Sequence, residues 1–182
     1  HNFKDAKFTW FKGAKLNITE NCIDRHLATK GDQTAILFEP NDPHEEAQHI
    51  SFNALHERVC KMANVLKTQG VQKGDRVVIY LPMIPELAVS VLACARIGAV
   101  HSVVFAGFSA TALASRINDC GAKIVLTSDG GFRGNKTIGL KTIVDEAMTK
   151  TPDVKKVLVV KRTNETIEMN EGRDIFLQPL LD

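Results

Sequence analysis

From Ser51 onward the chain alternates between two apolar periods. Phe52, Leu55, Val59, Met62 and Leu66 recur at three- and four-residue steps. With 3.6 residues per turn this spacing places them on one face of a helix. Ser51 is a candidate N-cap for it, and Gly70 lies just past its end. A Lys-Gly-Asp turn then leads into RVVIYL, an apolar run of strand length closed by Pro82 and Pro85. Pro85 suits the first position of the next helix, PELAVSVLACARIG, where its missing N–H costs nothing. Gly98 closes that helix and AVHSVVF returns as a strand. Ser109 is a candidate cap for SATALASRINDC, Gly121 its stop, and KIVLT the strand after it. Beyond SDGGFRGNKT, the segment LKTIVDEAMTK has a helical period, Pro152 stops it, and KKVLVV is a further apolar strand.

The first third of the chain is less regular. Residues 1–17 mix aromatics and lysines without a period. They predict an extended arm whose Phe8, Trp10 and Phe11 pack on a surface elsewhere. NCIDRHLAT predicts a short helix with Cys22, Ile23, His26 and Leu27 on one side. TAILFE (34–39) and QHISF (48–52) read as two strands joined by the polar loop PNDPHEEA. The tail from 161 to 182 is polar, then weakly apolar, with no element boundary. Near-continuous apolar strands linked by helices predict an α/β fold, a largely parallel sheet with helices on both faces. The division expected is an arm and short helix over 1–33 and an α/β subdomain over 34–182.

Composition narrows the function classes. The 182 residues are 44% apolar and 24% charged with a net charge of +2, and no run of five or more basic residues occurs. That is too mild for a nucleic-acid partner. Cysteines fall at 22, 60, 94 and 120 with no C-x-x-C pair, which argues against a zinc or redox site. Each lies in an apolar or helical stretch, so reduced core thiols are expected, as in cytosol. The longest apolar stretch is broken by Arg96, Gly98 and His101, giving helix, turn and strand rather than a membrane span. No basic head precedes an apolar signal core, and a cytoplasmic location is the expectation.

In open parallel sheets, ligands gather beyond the carboxyl ends of the strands. Two glycine-bearing loops sit there, FAGFSA after AVHSVVF and SDGGFRGNKT after KIVLT. The second brings to mind the phosphate-binding pattern G-x-x-x-x-G-K-[ST]. Counted from Gly130, Lys136 and Thr137 are in register, but Asn135 holds the second glycine's place. That pattern also needs a helix starting at its Gly-Lys-Thr, because the phosphate sits on the helix N-terminus. Here Ile138 and Gly139 intervene, and a glycine in a first helical turn costs about 1 kcal/mol. The P-loop reading is disfavoured. A solvated turn remains, and so does a phosphate clamp using the planar fork of Arg133 and the mobile charge of Lys136; spacing does not choose between them.

Other polar residues have plainer expectations. His101, alone in an apolar run, is expected as a packed core residue. Arg96 is expected in a structural ion pair or snorkelling. Glu86 and Asp75 suit a helix start and a turn. His44 and His49 flank an acidic loop, where metal binding is disfavoured.

WFKGAKLNITENCIDRHL, KGDRVVIYLPMIPELAVSVLACARIGAVHSVVFAGFSATALASRI and SDGGFRGNKTIGLK occur in this order. Together they closely resemble the acetyl-CoA synthetases, the AMP-forming acetate–CoA ligases of the adenylate-forming superfamily. The resemblance runs from about Phe8 to Arg162. It implies a two-step reaction: acetate and ATP give acetyl-adenylate and pyrophosphate, then CoA gives acetyl-CoA and AMP. It also implies a large N-terminal domain and a small C-terminal domain that rotate between the steps. The chain corresponds to the first part of the large domain, so 34–182 is expected to be an incomplete subdomain.

Residue by residue, Arg133 matches an arginine of the family's R-G-G-[RK] segment, which grips phosphates at the nucleotide end of CoA. Lys136 takes that segment's second basic position, keeping the charge without the guanidinium fork. Phe105, Ala106 and Gly107 fall on the family's F-G-G, where the chain lies along CoA; Ala106 adds a methyl at a position usually glycine. The resemblance places no catalytic residue and no metal ligand in this stretch. The Ser/Thr/Gly-rich ATP loop ending in Pro-Lys-Gly does not occur in it, nor do the ribose-binding acidic motif, the hinge and the C-terminal lysine. Contacts to acetate, ATP and Mg2+ are therefore expected elsewhere, and the 182-residue chain alone is expected to be inactive. The partners implied are acetate, ATP, CoA and the remainder of the enzyme's own chain, with no nucleic acid and no membrane. The alternatives are a ligase for another short acyl chain such as propionate, and a standalone CoA- or nucleotide-binding α/β module; a P-loop NTPase is a distant third.

Overall fold

The alternation of periods is realised as a five-stranded sheet between two helical layers. The computed structural model describes residue 6 and residues 8–182; of the N-terminal arm, residues 1–5 and 7 lie outside the described residues. Within that arm Trp10 is 72% and Phe11 87% exposed, so the expected packing of these rings does not bury them.

The helix expected over 21–29 forms in three short pieces, α1 (Ile18–Cys22), a 3-10 turn (Asp24–His26) and α2 (Leu27–Lys30). The start is earlier because Asn17 is the cap. Its side-chain oxygen accepts the Thr19 N–H at 3.0 Å, and its amide donates to the carbonyls of Ala95 and Arg96 at 3.2 Å. Ile23 breaks the helix and is fully buried, while its neighbour Cys22 is exposed rather than in the core.

β1 (Thr34–Phe38) and β2 (Gln48–Ser51) pair antiparallel. Ser51 caps α3 (Phe52–Thr68), its hydroxyl accepting the Ala54 N–H at 3.2 Å. There follow β3 (Arg76–Tyr80), α4 (Pro85–Ile97), β4 (Val100–Val103), α5 (Ala110–Cys120) and β5 (Ile124–Ser128). Next come a small hairpin of β6 (Gly131–Arg133) and β7 (Lys136–Ile138), then α6 (Leu140–Met148) and β8 (Lys156–Val160). β9 (Asp174–Phe176) and α7 (Gln178–Leu181) close the chain. The main sheet has the order β4-β3-β5-β8-β9, every pair parallel.

Two-residue alternation along the strands builds two separate cores, since successive side chains point to opposite faces. Val77, Ile79, Leu126 and Leu158 pack with α3 and α4. Val78, Val125, Val157 and Val159 pack with α5 and α6 on the other face. This explains why the strands read as unbroken apolar runs. β4 departs from that rule because it is the sheet edge: Val100, His101 and Val103 are exposed, so His101 is a surface residue and not a core histidine. The four cysteines are free thiols, and only Cys94 is fully buried; burial pushes its thiol up to about 12.

β9 has no apolar period to betray it. Its Ile175 and Phe176 pack against the two cores, and a buried charge network anchors its first residue. Lys141 on α6 is 1% exposed, and its Nζ donates to Asp145 at 2.7 Å and to the Glu168 carbonyl at 2.9 Å and lies 2.8 Å from Asp174 Oδ2. Arg173 closes the network, with Nε and Nη2 each 2.5 Å from Asp174 and Asp145 respectively. Burial pushes the Asp174 carboxyl up. The hydrogen bonds from Arg173, Lys141 and the Asn170 N–H, with the Lys141 charge, outweigh it and leave Asp174 lowered to about 2.

Two other polar expectations are met. Arg96 is paired with Asp24 at 2.5 Å, and Asp75 shapes a turn by accepting the Gln72 N–H at 2.8 Å.

Candidate functional site

The strand order places a switch point between β3 and β5. From β3 the chain crosses to β4 by α4 on one face, then returns past β3 to β5 by α5 on the other. Loops leaving the carboxyl ends of β3 and β5 therefore diverge and open a crevice between them. A cleft of about 540 Å³ lies there. Its floor is Leu81 and Pro82 after β3; Phe105 and Ala106 form one side, Phe132 and Arg133 the other, and Phe38 closes it from β1.

The FAGF turn is held by Tyr80, the chain's one tyrosine, fully buried at the end of β3. Its hydroxyl accepts the Gly107 N–H at 3.1 Å and donates to the Phe108 carbonyl at 2.8 Å. Burial raises its pKa, against an opposing pull from the Gly107 N–H, so the phenol keeps its proton to donate. Gly107 has φ of +125°, a conformation L side chains rarely adopt. The two phenyl rings of the turn meet edge to face at 5.9 Å, and Arg116 lies 4.9 Å over Phe108.

SDGGFRGNKT is not a loop wrapped round a phosphate but a two-stranded hairpin. Gly134 takes φ of +57° at the first turn position and Asn135 has no positive φ, the sign pattern of a type II′ turn. Arg133 is thereby placed directly across from Lys136. α6 starts only at Leu140, so no helix N-terminus meets Lys136 and Thr137, and the P-loop reading is excluded.

The hairpin is rooted by Asp129, 1% exposed. Its carboxylate accepts the N–H groups of Gly130 at 2.7 Å, Arg162 at 2.7 Å, Thr163 at 3.0 Å and Asn164 at 2.8 Å. A Cβ on Gly130 would lie 2.7 Å from Thr163 Oγ1, so glycine is required for the close approach of that turn. At the tip, the Asn41 side chain donates to the Gly134 carbonyl at 2.9 Å.

Of the five positions expected on sequence, Phe105, Ala106 and Arg133 line the cleft. Gly107 sits behind the turn with its N–H turned to Tyr80, and Lys136 is on the hairpin's outer strand, exposed and outside the lining. Sequence reasoning passed over Tyr80, Asp129 and Arg162. The available signals were a lone tyrosine ending a buried strand and an aspartate before two glycines. Among the described residues, no group of three His, Cys, Asp or Glu side chains could hold a metal ion, and no helix is long and apolar enough to cross a membrane.

Comparison with known proteins bears on what the cleft serves. The family model described as AMP-binding enzyme matches residues 23–176. The chain is 57% identical to an acetyl-coenzyme A synthetase from Syntrophobacter fumaroxidans, over 94% of its own length and 26% of the relative's. It is 58% identical to another from Bradyrhizobium sp., over 92% of itself and 26% of that protein. In structure it resembles acetoacetyl-CoA synthetase from Streptomyces lividans with a TM-score of 0.85 at 28% identity, covering 95% of this chain and 26% of that one. The chain thus spans about a quarter of the length of the curated relatives it matches.

Proposed function

The chain belongs to the AMP-binding enzyme family, and from that membership we propose that it supplies the CoA side of the site in an AMP-forming acetate–CoA ligase. In the full reaction an acetate oxygen attacks the α-phosphorus of ATP and pyrophosphate leaves. The CoA sulfur then attacks the acyl carbon of acetyl-adenylate and AMP leaves. The observation that carries the reading is the cleft at the β3/β5 switch point, with Arg133 on one lip and Phe105 on the other.

The residues on these lips suit a nucleotide bearing phosphates. The Arg133 fork donates paired hydrogen bonds to phosphate oxygens, and Lys136 beside it adds a second positive charge. The exposed Phe105 ring offers a face for an adenine, and the small Ala106 lets the ligand approach the backbone. None of these groups can neutralise a phosphoryl group in transfer, which needs several charges fixed around it. Among the described residues no group of three His, Cys, Asp or Glu side chains could hold Mg2+, and that ion is expected to be held by the remainder of the longer protein. The 182-residue chain is accordingly expected to bind at most part of CoA and to catalyse nothing alone, acting with the remainder of the longer protein in the cytoplasm in acetate metabolism.

Activity assays test this. The full-length protein is expected to form acetyl-CoA only when acetate, ATP and CoA are all present, and the 182-residue chain to release no pyrophosphate. Acetate-dependent pyrophosphate release by the short chain would overturn its inactivity, and a preference for propionate would reassign the acyl substrate.

A further inference from the structure

Arg162 lies just beyond β8 and itself lines the cleft, where its guanidinium sits between the hairpin that carries Arg133 and strand β1. It stands 5.1 Å from the Phe132 ring on the hairpin and 5.7 Å from the Phe38 ring on β1. Such planar groups gain from stacking on aromatic faces. Its side chain is only 19% exposed, and its nearest carboxylate is Glu45 at 3.8 Å, an ion pair too long for a hydrogen bond. The backbone beneath it is fixed, because Arg162 N donates to the buried Asp129 at 2.7 Å. Asp129 also accepts the Gly130 N–H at the hairpin root.

The hairpin carrying Arg133 is therefore braced at three heights: Asp129 at the root, Arg162 in the middle and Asn41 at the tip. The root and tip braces are hydrogen bonds to backbone groups outside the two strands. The middle brace acts on a side chain, Phe132, adjacent to Arg133. It also ties the hairpin to the separate β1–β2 ladder through Phe38 and Glu45.

We infer that Arg162 is a positioning residue for Arg133: wedged between Phe38 and Phe132, it sets the height of the hairpin and so the place of the Arg133 fork over the cleft. This rests on the reading of Arg133 as a CoA phosphate contact. Arg162 contributes through Arg133 rather than by a phosphate contact of its own.

A double-mutant cycle in the full-length protein tests it, with KM measured for CoA and for dephospho-CoA, which lacks the 3′-phosphate. Arg133→Ala is expected to raise KM for CoA about tenfold, the scale of one charge-assisted contact, with little change for dephospho-CoA. Arg162→Ala is expected to reproduce that pattern, Arg162→Lys to recover part of the loss, and the double variant to be no worse than Arg133→Ala alone. If Arg133→Ala shows no preference between the two ligands, the reading of Arg133 fails first. If it does but Arg162→Ala is silent, or its loss multiplies with that of Arg133→Ala, the positioning role is overturned. Should Arg162→Ala not fold, the cycle is run with Arg162→Lys and decided by the same criterion of additivity.

Discussion

The Tyr80 hydroxyl stands between two backbone groups of one turn, receiving the Gly107 N–H at 3.1 Å and giving its own proton to Phe108 at 2.8 Å. A buried side chain on the central part of the sheet thus dictates the shape of an exposed ligand loop. Tyr80→Phe keeps the ring and removes both bonds. It is expected to cost about 1–2 kcal/mol in urea unfolding, one modest net term per bond. It should also raise KM for CoA in the full-length protein while leaving KM for ATP unchanged. Unchanged stability and unchanged KM for CoA would mean that the turn holds its shape without Tyr80.

Gly107→Ala separates backbone strain from steric fit. A methyl there would meet only the Phe105 ring, at an ordinary 3.6 Å, so space is not the obstacle. The φ of +125° is. Forcing a side chain into such a conformation costs about 1–3 kcal/mol, which a thermal melt should register as a lowered Tm. A wild-type Tm in this variant would show that the turn relaxes freely to another conformation.

Asp174 predicts the acid limb of stability. Its folded pKa, about 2, lies below its ordinary value of 3.8. The bound carboxylate therefore stabilises the fold above about pH 4, by roughly 2 kcal/mol, and this is lost as pH falls toward 2. Asp174→Asn leaves Lys141 short of a buried partner and is expected to cost about 3 kcal/mol at neutral pH. It should also flatten the decline between pH 4 and pH 2, read from denaturant midpoints across that range. A variant with the wild-type acid slope would remove Asp174 from the account.

How far the sequence carried can be judged from these residues. The period-two apolar runs made the inner strands legible because each is buried on both faces, as Val77 and Val78 show. β4 has the same composition but lies at the edge, and nothing local in AVHSVVF distinguishes an edge from a centre; His101 was misplaced for that reason. β9 was missed because three residues anchored by Arg173 and Lys141 carry no hydrophobic period. The loops bearing Phe105 and Arg133 were legible through sheet position, since carboxyl ends of parallel strands are known without coordinates. Asp129, Tyr80 and Arg162 were not, because their partners are remote in sequence, 28 residues off for Tyr80, up to 35 for Asp129 and as far as Phe38 for Arg162, and only the fold brings them together.

The hairpin of residues 131–138 departs from a phosphate loop at Asn135 and at the late start of α6. Its antiparallel register gives it another use: Arg133, which lines the cleft, has Lys136 as its cross-strand neighbour just outside the lining. The most direct test is Arg133→Ala in the full-length protein, assayed with CoA and with dephospho-CoA. The account predicts KM for CoA raised about tenfold and KM for dephospho-CoA changed less than about twofold. Equal losses with both ligands, or none with either, would contradict it.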